Sequence, residues 1–157
     1  YNHGTLLRRL VEQNLIDPKR TISIGIHGSR FSLDDRDFHA ANGMRLVSFD
    51  EFEQLGRAKT VEIMREVIGD QPTYVTFDID ALDASQCIGT GSPEPGGLTM
   101  RDAQVLIRGL QGANIIGADV CEVSPPLDPT NQTALNGANL MFELLCLVAS
   151  TRASGRK

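Results

Sequence analysis

An α/β fold, with a parallel sheet covered by helices on both sides, follows from two features of this 157-residue sequence. Short β-branched runs alternate with longer stretches of helical periodicity, and the runs are apolar at successive positions, as strands buried on both faces must be. Leu6, Leu7, Leu10 and Val11 recur at helical spacing, predicting an amphipathic helix over roughly residues 4–14. DPKR (17–20) breaks it, TISIGI (21–26) reads as a buried strand, and residues 33–42 read as a helix ended by Asn42-Gly43. MRLVSF (44–49) is the second strand. A helix over about 56–68 then carries Val61, Met64 and Ile68 on one face until GDQP stops it. TYVTFDI (73–79) is the third strand. Thr99 is placed to N-cap a helix through about Leu110, with Asp102 in the reciprocal capping position. NIIGADV (114–120) is the fourth strand, and residues 133–150 form a mostly apolar helix expected to be largely buried. There is no repeat, low-complexity segment or linker, so residues 1–151 read as part of a single domain and 152–157 as a tail.

Composition narrows the class. Hydrophobic content of 41% with 22% charged residues suits a globular chain and not a disordered one. A formal net charge of −5, with no basic run longer than a pair before the tail, argues against a nucleic-acid partner. The most apolar stretch, around Leu140–Ala149, is too short to cross a membrane and carries Glu143, so no membrane partner is expected. Cys87, Cys121 and Cys146 are odd in number, widely spaced and without a CxxC pair, which favours reduced thiols in a cytoplasmic protein. The opening YNHGTLLRRLVEQ has no methionine and no signal peptide and enters a helical pattern at once, so it reads as the middle of a longer protein.

The chemistry concentrates in TFDIDALDASQCIGTGSPEPGG (76–97), where an apolar strand gives way to Asp78, Asp80 and Asp83. Side chains alternate along a strand, so Asp78 and Asp80 are expected on one face, about 7 Å apart. The carboxyl ends of the strands are where open parallel sheets bind ligands. Two carboxylates held side by side repel, and a hard divalent ion such as Mn²⁺ or Mg²⁺ relieves that repulsion. Strand-end aspartates equally cap turns, the role assigned to Asp83. Glu122 closes the fourth strand in ADVCEVSPP, on the same rim and just ahead of Pro125-Pro126. It suits either an anchor for a planar guanidinium or a solvated strand end. His3 stands in a loop before the first helix, either as an exposed histidine or as a proton carrier.

Together these stretches resemble the ureohydrolases, the arginase and agmatinase family. TFDIDALD and GTGSPEPGGLT resemble the family's signature block; HGTLLRRLVEQNLIDPKRTISIGIHG resembles the stretch with its catalytic histidine and a central strand. DVCEVSPPLD resembles the segment whose glutamate binds guanidinium, and TALNGANLMFELL the helix after it. HGT and EVSPP favour the agmatinase-like branch over arginase itself. The resemblance covers residues 2 to about 150 and implies the C-terminal portion of a three-layer αβα, arginase-like domain. It implies Asp78 and Asp80 as ligands of a binuclear Mn²⁺ centre, Glu122 and Ser92 as substrate-binding residues, and His3 as the catalytic histidine. The family's other ligands lie in upstream GGDH and DAHxD segments that this sequence does not contain, so a missing N-terminal segment of the same enzyme is an expected partner. A homo-oligomer, trimer or hexamer, is also expected. Three positions depart from the family pattern: His27 where arginine is usual, Cys87-Ile88 where AP is common, and Ala84 where proline is usual.

The implied reaction is manganese-dependent hydrolysis of a guanidino compound, such as agmatine or guanidinobutyrate, to urea and a primary amine. Glu122 would hold the cation and His3 would pass a proton to the leaving amine. Two alternatives stand beside it. The D-x-D pair could serve a Mg²⁺-dependent phosphohydrolase, which leaves GTGSPEPGG unexplained, or the chain could be a non-catalytic fragment or subunit.

Overall fold

The computed structural model describes residues 3–29 and 37–155, with His3 placed by its backbone alone. Four strands form, β1 (Ile22–Ile26), β2 (Arg45–Ser48), β3 (Thr73–Asp78) and β4 (Ile115–Cys121), with helices between them. They pair two by two, β1 with β2 and β3 with β4, and both pairs are parallel. Among the described residues no ladder joins the two pairs; side chains do. At the irregularity in β1, Gly25 takes φ 82°, and a β-carbon there would stand 3.1 Å from Leu98 Cδ1. Leu98 in turn forms an isolated bridge to Leu82, just past β3, and both are fully buried.

Helices α3 (Phe49–Ile68), α4 (Met100–Gly109) and α5 (Gln132–Ala153) lie side by side over one face of the strands. Val47, Met64, Ile79, Leu106, Leu140 and Leu144 make the centre of the core between these layers. On the far side of β1, helix α2 (Asp37–Ala41) is tied down by His39 Nε2, 3.3 Å from Ser23 Oγ. Helix α1 (Leu6–Glu12) sits beside α2, with the Arg8 guanidinium 5.4 Å from the Phe38 ring centroid. The β1–β2 half therefore has helices on both faces.

The helix ends carry their own chemistry. Thr99 and Asp102 form the reciprocal capping box expected of them, and Asp102 also accepts from Arg57 on α3. Arg20 donates through Nη2 to the Ile68 carbonyl at 2.7 Å, and Arg65 through Nε to the Gly109 carbonyl at 2.7 Å. Each brings a cation to carbonyls left open at a helix C-terminus.

Several expectations are corrected. The helix expected at 56–68 begins at Phe49; Gly56 (φ 70°) breaks it into two segments, and Ser48 caps the first. Strand β3 is not apolar on both faces: Val75 and Phe77 pack on the core while Tyr74, Thr76 and Asp78 are exposed. Helix α5 is not largely buried, since only one row (Thr133, Gly137, Leu140, Leu144, Leu147, Thr151) is covered. It is also long and apolar enough to cross a membrane, beyond what its sequence suggested. The covered row on the core and the Arg108–Glu143 pair (2.9 and 2.5 Å) to α4 are the contacts of a globular-domain helix. Because α5 continues to Ala153, the tail expected from 152 starts inside its last turn. Of the helix expected at 33–42, residues 37–41 are seen and 33–36 lie outside the described residues.

Asp102 serves the cap of α4 and the link to α3 with one carboxylate, and it is buried. Asp102→Ala is expected to lower unfolding stability by about 1–3 kcal/mol, losing the cap and leaving the Thr99 amide unpaired. Chemical denaturation checks this, and a change below about 0.5 kcal/mol contradicts it.

Candidate functional site

Strand β3 ends at Asp78, and Ile79–Ala81 form a 3-10 turn. Asp80 therefore lies past the strand, so simple alternation does not relate it to Asp78. Between them the Ile79 side chain is completely buried, while Asp78 is exposed and Asp80 half-buried.

The following loop folds back over this turn. Asp83 N donates to the Leu98 carbonyl (2.9 Å), Leu98 N to the Ala81 carbonyl (2.9 Å) and Ala84 N to the Glu94 carbonyl (3.1 Å). Gly97 is required at the base of the loop, because a β-carbon would come within 2.7 Å of the Asp83 nitrogen. Asp83 is the turn residue that the sequence suggested: its carboxylate accepts from Ser85 N at 2.9 Å and Gly96 N at 2.7 Å. Ser85, through hydroxyl and amide, and the Gly96 amide hold its pKa down at about 2. The fold brings Ser92 back over Asp80, to which its hydroxyl donates at 3.2 Å.

Glu122 reaches the same rim from β4. Cys121 pairs with Asp78 in the parallel register, and Glu122 comes one residue later. Its backbone is left-handed (φ 63°), a conformation that a non-glycine residue adopts at a cost of about 1–3 kcal/mol. The Ser124 amide bond to the Gly89 carbonyl (2.8 Å) and the 3-10 turn Pro125–Leu127 hold it there. Burial pushes the Asp80 carboxyl up; the Ser92 hydroxyl opposes this, the Glu122 charge adds to it, and His27 opposes it. Asp80, Ser92, Glu122 and His27 are thus brought together. Asp78 ends β3 itself, two residues before Asp80, and the side chain of His3 lies outside the described residues.

His27 is the residue that sequence reasoning passed over as a mere departure. Its Nδ1 is 2.9 Å from the Gly25 carbonyl and its Nε2 is 3.3 Å from that of Glu94, so it ties the end of β1 to the loop bearing Ser92. It also lines a cavity of about 500 Å³ with Phe49, Asp50, Glu53 and Gly96. No sequence pattern marks this role, because the two carbonyls it spans are 69 positions apart at their extremes (Gly25 to Glu94). Cys87, the other departure, is buried in the core while Ile88 is exposed. Burial, with the charges of Asp80 and Asp128, pushes the Cys87 thiol up to about 11.

Carboxylate oxygens suit a hard divalent cation. Among the described residues, however, no group of three or more His, Cys, Asp or Glu side chains is close enough to hold one. Asp78 and Asp80 thus do not complete a metal site by themselves among the described residues.

Parallel strands under helices, with carboxylates at the strand ends, define an α/β domain. The model of the Arginase family matches residues 1–147, and the chain belongs to that family. It is 52% identical over 153 residues to the guanidinopropionase of Pseudomonas aeruginosa, covering 98% of this chain and 48% of that protein. It is 40% identical to an agmatinase of Chromobacterium violaceum, covering 98% of this chain and 45% of the other. The solved structure of proclavaminate amidino hydrolase from Streptomyces clavuligerus superposes with a TM-score of 0.92 at 38% identity, over 96% of this chain and 50% of that one. These relatives fix the three-layer αβα fold and the agmatinase-like character of the chain. The chain spans about half the length of the relatives it matches.

The depressed pKa of Asp83 carries a pH prediction. A carboxyl held at about 2 contributes stability that is complete above its unfolded pKa, near 4, and is lost as pH falls through the folded value. Asp83→Asn is expected to lower stability at pH 7 and to flatten its fall between about pH 4 and 2. Denaturant melts at pH 7, 4 and 3 check it; parallel wild-type and variant curves contradict it.

Proposed function

We propose that this chain is one half of a ureohydrolase active site, acting on a linear guanidino compound to release urea and a primary amine. What supports the reading is the convergence of Asp80, Ser92 and Glu122 at one strand-end rim, in a chain of the arginase family. Asp78 and Asp80 would hold manganese together with ligands supplied from outside this chain. Bound there, the metal pair supplies activation of the attacking water. The Glu122 carboxylate accepts hydrogen bonds from the substrate guanidinium and fixes the orientation of its central carbon. Ser92 orients Asp80 through its hydroxyl. His3 delivers a proton to the nitrogen of the breaking C–N bond, so that a neutral amine leaves. The fixed backbone of Glu122 lets the carboxylate serve as a rigid anchor without ordering a loop at each turnover.

Relatives named guanidinopropionase and agmatinase make guanidino acids and amines the compounds to test first. Free thiols at Cys87, Cys121 and Cys146 suit a reducing compartment such as the cytoplasm. Family membership speaks against the phosphohydrolase alternative.

In the intact protein, Asp78→Ala and Asp80→Ala are each expected to abolish urea release and lower the manganese content. Ile79 and the core beneath stay in place, so the thermal transition should barely move. Normal manganese and normal turnover in both variants would remove the two aspartates from the metal site. Glu122→Gln keeps the shape and removes the charge, at a cost of about 1.5–3 kcal/mol to a hydrogen bond with a cation. A fall in kcat/KM of roughly tenfold or more with manganese retained is expected. Loss of manganese in that variant would make Glu122 a metal-supporting residue.

A further inference from the structure

Ser92 bonds Asp80 from a stretch of chain with little beneath it. Between the buried Thr90 and the buried Gly97, residues 91, 92, 93, 95 and 96 are exposed and Glu94 is half-buried. Apolar burial therefore does not fix where the Ser92 hydroxyl stands, and hydrogen bonds to the backbone must. The Gly96 amide donates to the Asp83 carboxylate at 2.7 Å, and the Glu94 carbonyl accepts from the Ala84 amide at 3.1 Å. Both partners belong to the same loop and travel with it. His27 comes from elsewhere, at the end of β1, and its Nε2 stands 3.3 Å from that same Glu94 carbonyl. Its Nδ1 is 2.9 Å from the Gly25 carbonyl, which fixes the ring against its own strand. Gly28 makes room for the meeting: it takes φ 77°, and a β-carbon there would stand 2.9 Å from Glu94 Cγ. Beside the tie lies the cavity of about 500 Å³ between His27, Phe49, Pro95 and Gly96. In a close-packed interior other neighbours would hold the loop once one contact was cut; here it borders open space.

We infer that His27 is a positioning residue of the hydrolytic site, holding the Glu94 carbonyl through Nε2 and thereby the Ser92 hydroxyl over Asp80. Carbonyl oxygens only accept, so a neutral ring donates to one of the two and an imidazolium to both. In either form both nitrogens face main chain, and His27 is neither a proton carrier for substrate nor a metal ligand. Its influence reaches Asp80 through Ser92. Glu122 is held separately, by the Ser124 amide on the Gly89 carbonyl, so guanidinium binding does not depend on His27. The effect falls on turnover and on retention of manganese. The inference rests on the reading of Asp80 as a working carboxylate of a ureohydrolase.

The test compares the intact protein with His27→Gln, His27→Asn and His27→Phe. The amide nitrogen of glutamine reaches as far as Nε2, that of asparagine only as far as Nδ1, and phenylalanine keeps the ring without a donor. His27→Gln should hold kcat within about threefold of wild type. His27→Asn and His27→Phe should each lower kcat by roughly 10- to 100-fold, as a misplaced catalytic group does, with KM nearly unchanged. Their manganese dissociation constants should rise severalfold. Amide hydrogen exchange over residues 84–98 should quicken by about tenfold or more in the same two variants and stay at the wild-type rate in His27→Gln. A side chain that merely filled space would give the opposite order, with phenylalanine best. Wild-type kcat and exchange in His27→Asn and His27→Phe, or a His27→Gln protein as impaired as His27→Phe, overturn the inference. So does a rise in KM at unchanged kcat, or an equal rise of exchange in α4 and α5, which would mean general loosening. Should the wild-type protein release urea from no guanidino compound, the proposed reaction fails, and the exchange rates still decide whether His27 holds the loop.

Discussion

The burial of one side chain organises the candidate site. Ile79 has no exposed surface, and placing it in the core gains about 1.5–3 kcal/mol by itself. It stands between the exposed Asp78 and the half-buried Asp80, so the same burial fixes the turn that carries both carboxylates at the strand end. Leu82 and Leu98, equally buried, then pin the chain on either side of the 83–97 loop. Asp83 closes that loop from within by accepting the Ser85 and Gly96 amides. Ser92 meets Asp80 only because these anchors set the length and the return point of the loop. A polar site is thus positioned by apolar burial beneath it, and the carboxylates need no attraction to each other.

Much of this was legible in the residues. The strand–helix alternation, the Thr99–Asp102 capping box and the turn role of Asp83 are local, and local chemistry can be read from a few neighbouring positions. The pairing of Glu122 with the aspartate rim was legible for a different reason: parallel strands put their carboxyl ends together whatever lies between them. What could not be read were contacts set by distant backbone. His27 bridges two carbonyls from separate segments, and Glu122 takes a left-handed conformation that its side chain does nothing to announce. The start of α3 was missed because Gly56 interrupts the periodicity, so only the segment after it read as a helix and residues 50–55 went unassigned.

The two misjudged surfaces have a common origin. An apolar strand or helix in a sequence states that something will cover it, but not whether the cover lies in the same stretch of chain. Residues 133–150 are apolar around the helix, and the expectation of burial counted all of its apolar side chains where only one row is covered. Half of that burial is supplied by the core of this chain. The other half is left open, on a helix whose length and composition alone would equally pass for a membrane span. The ion pair from Glu143 to Arg108 and the bond from Asn139 to Gln104 distinguish the two cases, since they tie the helix to a polar neighbour in the same layer.

The exposed face of the β3–β4 pair carries the same message in polar groups. Asp119 accepts from Tyr74 Oη at 2.7 Å, from Thr76 Oγ1 at 2.7 Å and from Cys121 Sγ at 3.0 Å. An aspartate that always faces water has no need of three protein donors, because water satisfies it at no conformational cost. A carboxylate that will be enclosed does need them, since burying it unpaired costs several kcal/mol. Thr76 stands directly opposite Asp119 in the parallel register, and Tyr74 and Cys121 lie two residues along β3 and β4, so the sheet itself brings the donors into range. Burial already raises the Asp119 pKa, and the bonds from Cys121, Thr76 and Tyr74 outweigh it to hold the group ionised. The face is therefore a satisfied polar centre.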